Sequence, residues 1–394
     1  MRDLARTRFH GIFLRFWKSD ATMAARAFTN HQSTNTPMPT RPPPAASANL
    51  HTAKPVDTCP YCGGKRVIRK GVRRNKYGNV QLFYCHHCKK KFTPLVTKHK
   101  SFPLRVILDA LSLYNRLHSL EEAAAAVTWK YGINVSRQNV RNWLEGFADY
   151  LPFLRLRPET VRRFDRHTLL LETRLYHGLV YDFKYHRAKT DLILERSASG
   201  EKFRPLQAFL EAVPRQCPHA LFRQERLRAS TYKGGFDLDG VRVTPHENAA
   251  VKNARFALQV VDNNKLRHEI LQDFMLVNDS VTIAAEVPIV LRAEDCAAFR
   301  EQGWLVPITL ARGDVITGHI DIVQIRYGLI HILDYKPGAK KIKPIEQLTI
   351  YALALSRLTG IPLYHFKCAW FDDAHYFDFF PRAVVQKSRK GGRV

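Results

Sequence analysis

Apolar residues recur at helical spacing over 104–117, 120–131 and 136–147, and farther along the chain they gather into short runs of strand length. Ser119 precedes Leu120–Tyr131 with Glu121 and Glu122 in the first turn, and Gly132 ends that helix. Ser136 caps the next helix, which carries Val140, Trp143, Leu144 and Phe147 three and four positions apart. Pro103 fits the first turn of the preceding helix, predicted to run to about Leu117. Leu169–Leu171 and Val180–Tyr185 read as strands around His177-Gly178, and Leu206–Val213 as a helix. Ala249–Phe274 is predicted helical. Val281–Leu291, Val315–Ile325 and Leu329–Tyr335 read as strands, Ile345–Leu358 as a helix and His365–Trp370 as a late strand. The order helix, strand, strand, strand, helix, strand implies a mixed α/β core.

Upstream of residue 104 this patterning fades. Residues 1–57 are rich in Thr, Pro, Ala and Asn, contain Pro42-Pro43-Pro44, and read as a disordered basic tail. Residues 58–100 carry twelve Lys or Arg and no Asp or Glu. Two β-like pieces there, Lys65–Ile68 and Val80–Tyr84, flank a turn at Tyr77-Gly78-Asn79.

Charge sharpens the picture. The 62 Lys+Arg against 35 Asp+Glu give a net charge of +27, which points to a polyanionic partner, nucleic acid before an anionic membrane. Hydrophobic residues at 45% supply real cores and exclude a wholly disordered chain. No run of about 18 apolar residues exists, so no membrane span is expected. Seven cysteines are too few for a disulfide scaffold and point to a reducing, cytoplasmic setting, nucleoid-associated if DNA is the partner.

Four of those cysteines form two knuckles, Cys59-Pro60-Tyr61-Cys62 and Cys85-His86-His87-Cys88. Four thiolates from two short hairpins give Zn2+ a closed tetrahedral shell, and the metal then supplies the folding energy of a module with little core. With Lys89-Lys90-Lys91-Phe92-Thr93 following, residues 58–150 resemble the N-terminal region of insertion-sequence transposases, in which a zinc ribbon precedes a helix-turn-helix. Leu120–Tyr131, the turn at 132–135 and Ser136–Phe147 have helix-turn-helix spacing. The second helix offers Arg137, Asn139 and Arg141, with Gln138 and Asn142, as candidate DNA-binding residues.

A second constellation lies near the C-terminus, in Gly318-His319-Ile320-Asp321, Asp334-Tyr335-Lys336 and Gln347-Leu348-Thr349-Ile350-Tyr351. Residues two apart on a strand share a face, so Asp334 and Lys336 project together. A turn near Tyr327-Gly328 makes the two strands a plausible antiparallel pair, with Asp321 near Asp334. Paired carboxylates suit Mg2+, which lowers the pKa of a bound water for attack on a phosphodiester. Gln347 and Tyr351 share a helix face.

These three pieces resemble the RecB-like branch of the PD-(D/E)XK nuclease superfamily. The resemblance implies a restriction-endonuclease-like core over 250–385. It makes Asp321 and Asp334 ligands of Mg2+ or Mn2+, Lys336 the catalytic lysine, and Gln347 and Tyr351 accessory residues. It further implies a histidine ligand on the upstream helix, for which His268-Glu269 is the candidate and His246-Glu247 the runner-up. Glu286 is a possible further ligand. Some members hold an iron–sulfur cluster on four cysteines; Cys217, Cys296 and Cys368 are one too few and read as small buried apolar residues. His167, His177, His186 and His219 fit no standard metal spacing and read as packing or phosphate contacts. Asp165 and Asp182 are weak candidates for a transposase acid triad.

The expected organisation is a tail over 1–57, a zinc ribbon over 58–100 and a helix-turn-helix domain over 101–155. An α+β region of unknown role follows over 156–249, then the nuclease over 250–385. The expected function is that of a Mg2+-dependent deoxyribonuclease. The rivals are a catalytically inactive DNA-binding regulator and a transposase-related protein.

Overall fold

The computed structural model describes residues 56, 58–75, 78–93, 102–198, 200–223, 227–239, 241–261 and 266–386. The expected tail over 1–57, apart from Val56, and the basic end beyond 386 lie outside them. The chain forms two compact units. One holds the described residues up to His167 together with Lys252–Ser280, the other Thr168–Val251 together with residues 281–386.

The first unit opens with β1 (Val67–Asn75), β2 (Gly78–Cys85) and β3 (Lys91–Phe92), an antiparallel sheet in the order β1-β2-β3. The β1–β2 register shifts between Arg69 and Val72, where Gly71 takes φ 86° and its carbonyl accepts from Gln81 Nε2 at 2.7 Å. Glycine is the residue that reaches this left-handed bulge conformation without strain.

Three helices follow: α1 (Leu104–Asn115), α2 (Leu120–Tyr131) and α3 (Arg137–Gly146). Two reciprocal caps set their boundaries. Ser119 Oγ accepts from Glu122 N at 3.0 Å while Ser119 N donates to Glu122 Oε2 at 2.8 Å. Ser136 Oγ accepts from Asn139 N at 3.2 Å while Ser136 N donates to Asn139 Oδ1 at 3.0 Å. Gly132, at φ 65°, terminates α2, and Val135 N donates to Thr128 Oγ1 at 3.0 Å across the turn. Ile107, Leu111, Val127, Val140, Trp143 and Leu144 are buried between the helices, and their spacing is why these segments are helical.

The expected single helix over Ala249–Phe274 is broken. It forms as Ala249–Ala257, a short 3-10 turn at Leu258–Val260, and Arg267–Asn278, with Val261 already extended. The β-branched Val260-Val261 pair disfavours helix at this point.

The second unit is a mixed α/β structure around a nine-stranded sheet. Its strands are β4 (Leu170–His177), β5 (Leu179–His186), β6 (Leu227–Arg228), β7 (Thr244–Pro245), β8 (Thr282–Arg292), β9 (Val315–Arg326), β10 (Leu329–Tyr335), β11 (Phe366–Phe371) and β12 (Tyr376–Phe379). They run in the order β4-β5-β8-β9-β10-β11-β12-β7, with β6 beside β9. β10 and β11 are parallel, as are β6 and β9; the other pairs are antiparallel. A parallel pair needs a crossover, and the helix Ile345–Thr359 supplies it between β10 and β11. The central strands are buried along most of their length, so their sequences are nearly continuous apolar runs. The polar residues within those runs are therefore the ones that need explaining.

Candidate functional site

The β9–β10 hairpin turns at Tyr327-Gly328, both at positive φ. Its register pairs Ile332 with Val323 and Leu333 with Ile322; one step further sets Asp334 opposite Asp321. On the other side of β9, β8 pairs Ala285 with Ile322 and Val287 with Ile320, which sets Glu286 opposite Asp321. Glu286 has φ 51° inside the strand, a conformation costly for a non-glycine residue and common at functional sites. Three acids thus sit at matched positions on three neighbouring strands.

Their environments differ. Asp321 is half-buried and its Oδ2 accepts from Tyr335 N at 3.1 Å. Asp334 is 1% exposed, and neither carboxylate oxygen accepts a hydrogen bond from the described residues. Lys336 Nζ stands 3.1 Å from Asp334 Oδ2, an ion pair by distance without hydrogen-bond geometry. Burial, then the charge of Asp321, pushes the Asp334 carboxyl up to about 8 against the pull of Lys336. Burial works against the Lys336 ammonium, but Asp334 and Asp321 outweigh it and raise its pKa.

The crossover helix closes the group. Gln347 Nε2 donates to Tyr351 OH at 3.0 Å. Burial, with the charges of Asp321 and Asp334, holds the Tyr351 phenol well above its usual range. Its ring lies against the backbone of Gly318, where a Cβ would stand 2.6 Å from Tyr351 Cε1.

The chemistry of the donor set fits a hard divalent cation. Asp334 presents two unsatisfied carboxylate oxygens beside a second acid, and Mg2+ or Mn2+ favours such oxygen ligands. The acids are not drawn into a tight cage: the oxygens of Glu286, Asp321 and Asp334 do not all lie within 4.8 Å of one another. Of the histidines expected here, His268 is half-buried on Arg267–Asn278, in the helical unit. His246 lies 3.4 Å from Asp378 Oδ2, which also pairs with Lys367 at 2.8 Å. Asp182 pairs with Arg174 across the β4–β5 hairpin at 2.9 Å, and Asp165 accepts from His167 N.

In the helical unit the four expected cysteines converge. Cys59 and Cys88 Sγ are 3.6 Å apart, Cys62 and Cys85 Sγ 3.7 Å, and all four lie within 4.8 Å. Tetrahedral zinc at Zn–S of about 2.3 Å requires about 3.8 Å between sulfurs. The first knuckle is shaped by Gly63 at φ 68° and Gly64, where a Cβ would crowd His87 Cβ and Cys62 Sγ. Tyr61 N donates to Cys59 Sγ at 3.4 Å; the four thiols titrate against one another, the backbone of Cys88 drawing the Cys85 thiol down while, against the pull of the Gly64 backbone, burial and the other three cysteines push the Cys62 thiol up. Phe83 stacks on Phe92 in the same small buried cluster as Cys59 and Cys85. This four-cysteine cluster can hold one zinc ion.

The hairpin exposes Lys65, Arg66, Arg69, Lys70, Arg73 and Arg74. Arg137 and Arg141 are exposed on α3 but paired, with Glu121 at 2.9 Å and Glu145 at 3.8 Å. Asn139 is half-buried and its Oδ1 is spent on capping α3, a role that spacing alone does not reveal. Gln138 donates to Asn142 at 2.7 Å.

One comparison with known proteins finds a relative. The chain is 30% identical over 100 residues to the uncharacterized 48.3 kDa protein of insertion element ISM1 from Methanobrevibacter smithii, covering 22% of this chain and 25% of that protein. The match thus spans a quarter of the relative's length. No family model and no solved structure matches. No helix among the described residues is long and apolar enough to cross a membrane.

Proposed function

We propose that this chain is a transposase-related, mobile-element protein that binds DNA through its four-cysteine hairpin and α1–α3, and hydrolyses phosphodiester bonds at the Asp321–Asp334–Lys336 cluster. The observation that carries the nuclease reading is Asp334. A carboxyl buried to 1% exposure, with a second acid on the next strand and Lys336 Nζ at 3.1 Å from Oδ2, is costly to the fold. Its retention beside a second acid and a lysine is accounted for by use.

In this reading Asp334 and Asp321 hold Mg2+ or Mn2+, with Glu286 as the further oxygen donor from the same sheet. Such a cation, when bound, lowers the pKa of water for attack on phosphorus. Lys336, held by Asp334, donates to the attacking water or to the phosphate oxygens on which charge develops. Gln347 fixes the Tyr351 hydroxyl at the rim of the acids. The matched insertion-element protein supports the mobile-element setting. The acid-free basic hairpin supports phosphate contacts that weaken with salt.

Metal-dependent stabilisation tests the site without presupposing a substrate. Mn2+ added to EDTA-treated protein is expected to raise the melting temperature, and Asp334→Asn to abolish that rise. An equal rise in wild type and variant would remove the site from this reading.

A further inference from the structure

The middle of the chain carries four histidines of no standard metal spacing, yet the fold sorts them. His167 is exposed and bonded to Asp165. His186 caps the helix Arg187–Arg196, accepting from Lys189 N at 3.2 Å. His177 and His219 come together with Cys217. His177 Nε2 stands 2.8 Å from His219 Nδ1 and 3.9 Å from Cys217 Sγ, and the three ligand atoms all lie within 4.8 Å.

We infer that His177, Cys217 and His219 form a second zinc site, separate from the four-cysteine hairpin and from the acids. Two imidazoles and one thiol are the donors a borderline-soft ion such as Zn2+ selects, and they leave a fourth position for solvent. At zinc bond lengths a tetrahedral site needs about 3.4 Å between nitrogens and about 3.6 Å between nitrogen and sulfur. The observed 2.8 and 3.9 Å bracket these values, so an ion requires shifts of about half an ångström and no rearrangement of the backbone.

The three ligands are fixed before any ion arrives. His177 ends β4, next to Gly178, which turns the hairpin at φ 80°. Cys217 and His219 flank Pro218 where one helix ends and the next begins: Cys217 N donates to Val213 O at 3.1 Å and His219 N to Cys217 O at 2.9 Å. Phe222 stacks on the His177 ring at 4.0 Å between centroids.

The outer contact is also in place. With Nε2 on the ion, His177 carries its proton on Nδ1 and donates it to His319 Nε2, 2.8 Å away. His319 is buried under Tyr181, with ring centroids stacked at 3.6 Å. A histidine ligand oriented through its second ring nitrogen is the usual arrangement around protein-bound zinc. Binding displaces the Cys217 proton to solvent, leaving a thiolate on the ion and the guanidinium of Arg228 beside Gly178. The site would then tie the β4–β5 hairpin and the Cys217-Pro218-His219 turn to β9, two residues from Asp321.

Metal content of the full chain, measured after dialysis against a weak chelator, tests the inference. Wild type is expected to retain two zinc ions, and Cys59→Ser/Cys62→Ser one. Adding His219→Ala to that double variant is expected to remove the last ion. His219 is half-exposed, so this variant tests the site with little loss of core. Cobalt supplies an independent readout: the Cys59→Ser/Cys62→Ser protein loaded with Co2+ should show tetrahedral visible absorption and a thiolate charge-transfer band that vanishes with Cys217→Ser. A single zinc in wild type, an unchanged count on His219→Ala, or no cobalt absorption in the Cys59→Ser/Cys62→Ser protein would overturn it.

Discussion

The ring of Tyr351 occupies the space that a side chain at residue 318 would fill: a Cβ on Gly318 would stand 2.6 Å from Tyr351 Cε1. The glycine three positions before Asp321 is therefore a steric condition for the tyrosine four positions after Gln347. Gly318→Ala is expected to displace the Tyr351 ring at a cost of about 1–3 kcal/mol, the usual range for overpacking. Thermal denaturation measures the cost. Tyr351→Phe, which removes only the hydroxyl, should leave packing intact, so a comparison of the two separates ring position from the Gln347 hydrogen bond.

Asp334 makes stability depend on pH in a defined direction. Its carboxyl is raised from 3.8 to about 8 in the folded chain. Between those values the folded state binds a proton that the unfolded state has lost, so metal-free protein loses stability as pH rises from about 4 to about 8. Asp334→Asn should flatten this fall, and Mn2+ should offset it in wild type only. Denaturant titrations at several pH values, with and without the metal, check both.

Asn139 and Arg137 sit two residues apart on α3 but are expected to act differently. Asn139→Ala removes half of a reciprocal cap and should cost about 0.5–2 kcal/mol of stability with the base preference unchanged. Arg137→Ala should leave stability nearly unchanged, since its partner Glu121 is as exposed as it is. It should weaken DNA binding and reduce the salt slope by about 0.9 if it touches one phosphate. Chemical denaturation and binding isotherms across a salt series distinguish the two.

The four-cysteine hairpin has Cys59, Phe83, Cys85 and Phe92 as its small buried cluster. Cys88→Ser is expected to unfold it and to remove most salt-sensitive DNA affinity, while the melting transition of the sheet unit persists. Limited proteolysis of the variant should release fragments cut within 58–93.

Much of this was legible in the sequence where local chemistry decides. Ser119, Gly132 and Ser136 bound α2 and α3 because caps are local, and the CxxC spacing marks its cluster for the same reason. The mixed α/β core followed from apolar runs of strand length. Other features depend on the fold. The expected helix over Ala249–Phe274 breaks at Val260-Val261, and Arg267–Asn278 with His268 joins the helical unit, which periodicity could not reveal. Glu286 was already a candidate ligand in the sequence, but only the β8–β9 register sets it opposite Asp321. His177 and His219 are 42 positions apart, and only the β4–β5 hairpin and the Cys217-Pro218-His219 turn bring them to Cys217.

The central claim is hydrolysis at the Asp334–Lys336 pair, and a cleavage assay tests it most directly. Purified chain and Lys336→Ala would be incubated with labelled linear, circular and single-stranded DNA in Mg2+, Mn2+ or EDTA. The account predicts metal-dependent cutting by wild type and loss of at least about 100-fold in the variant, the scale on which a charge-stabilising group acts. Equal cutting by both proteins, or salt-sensitive DNA binding by wild type with no cutting of any substrate in either metal, would contradict it.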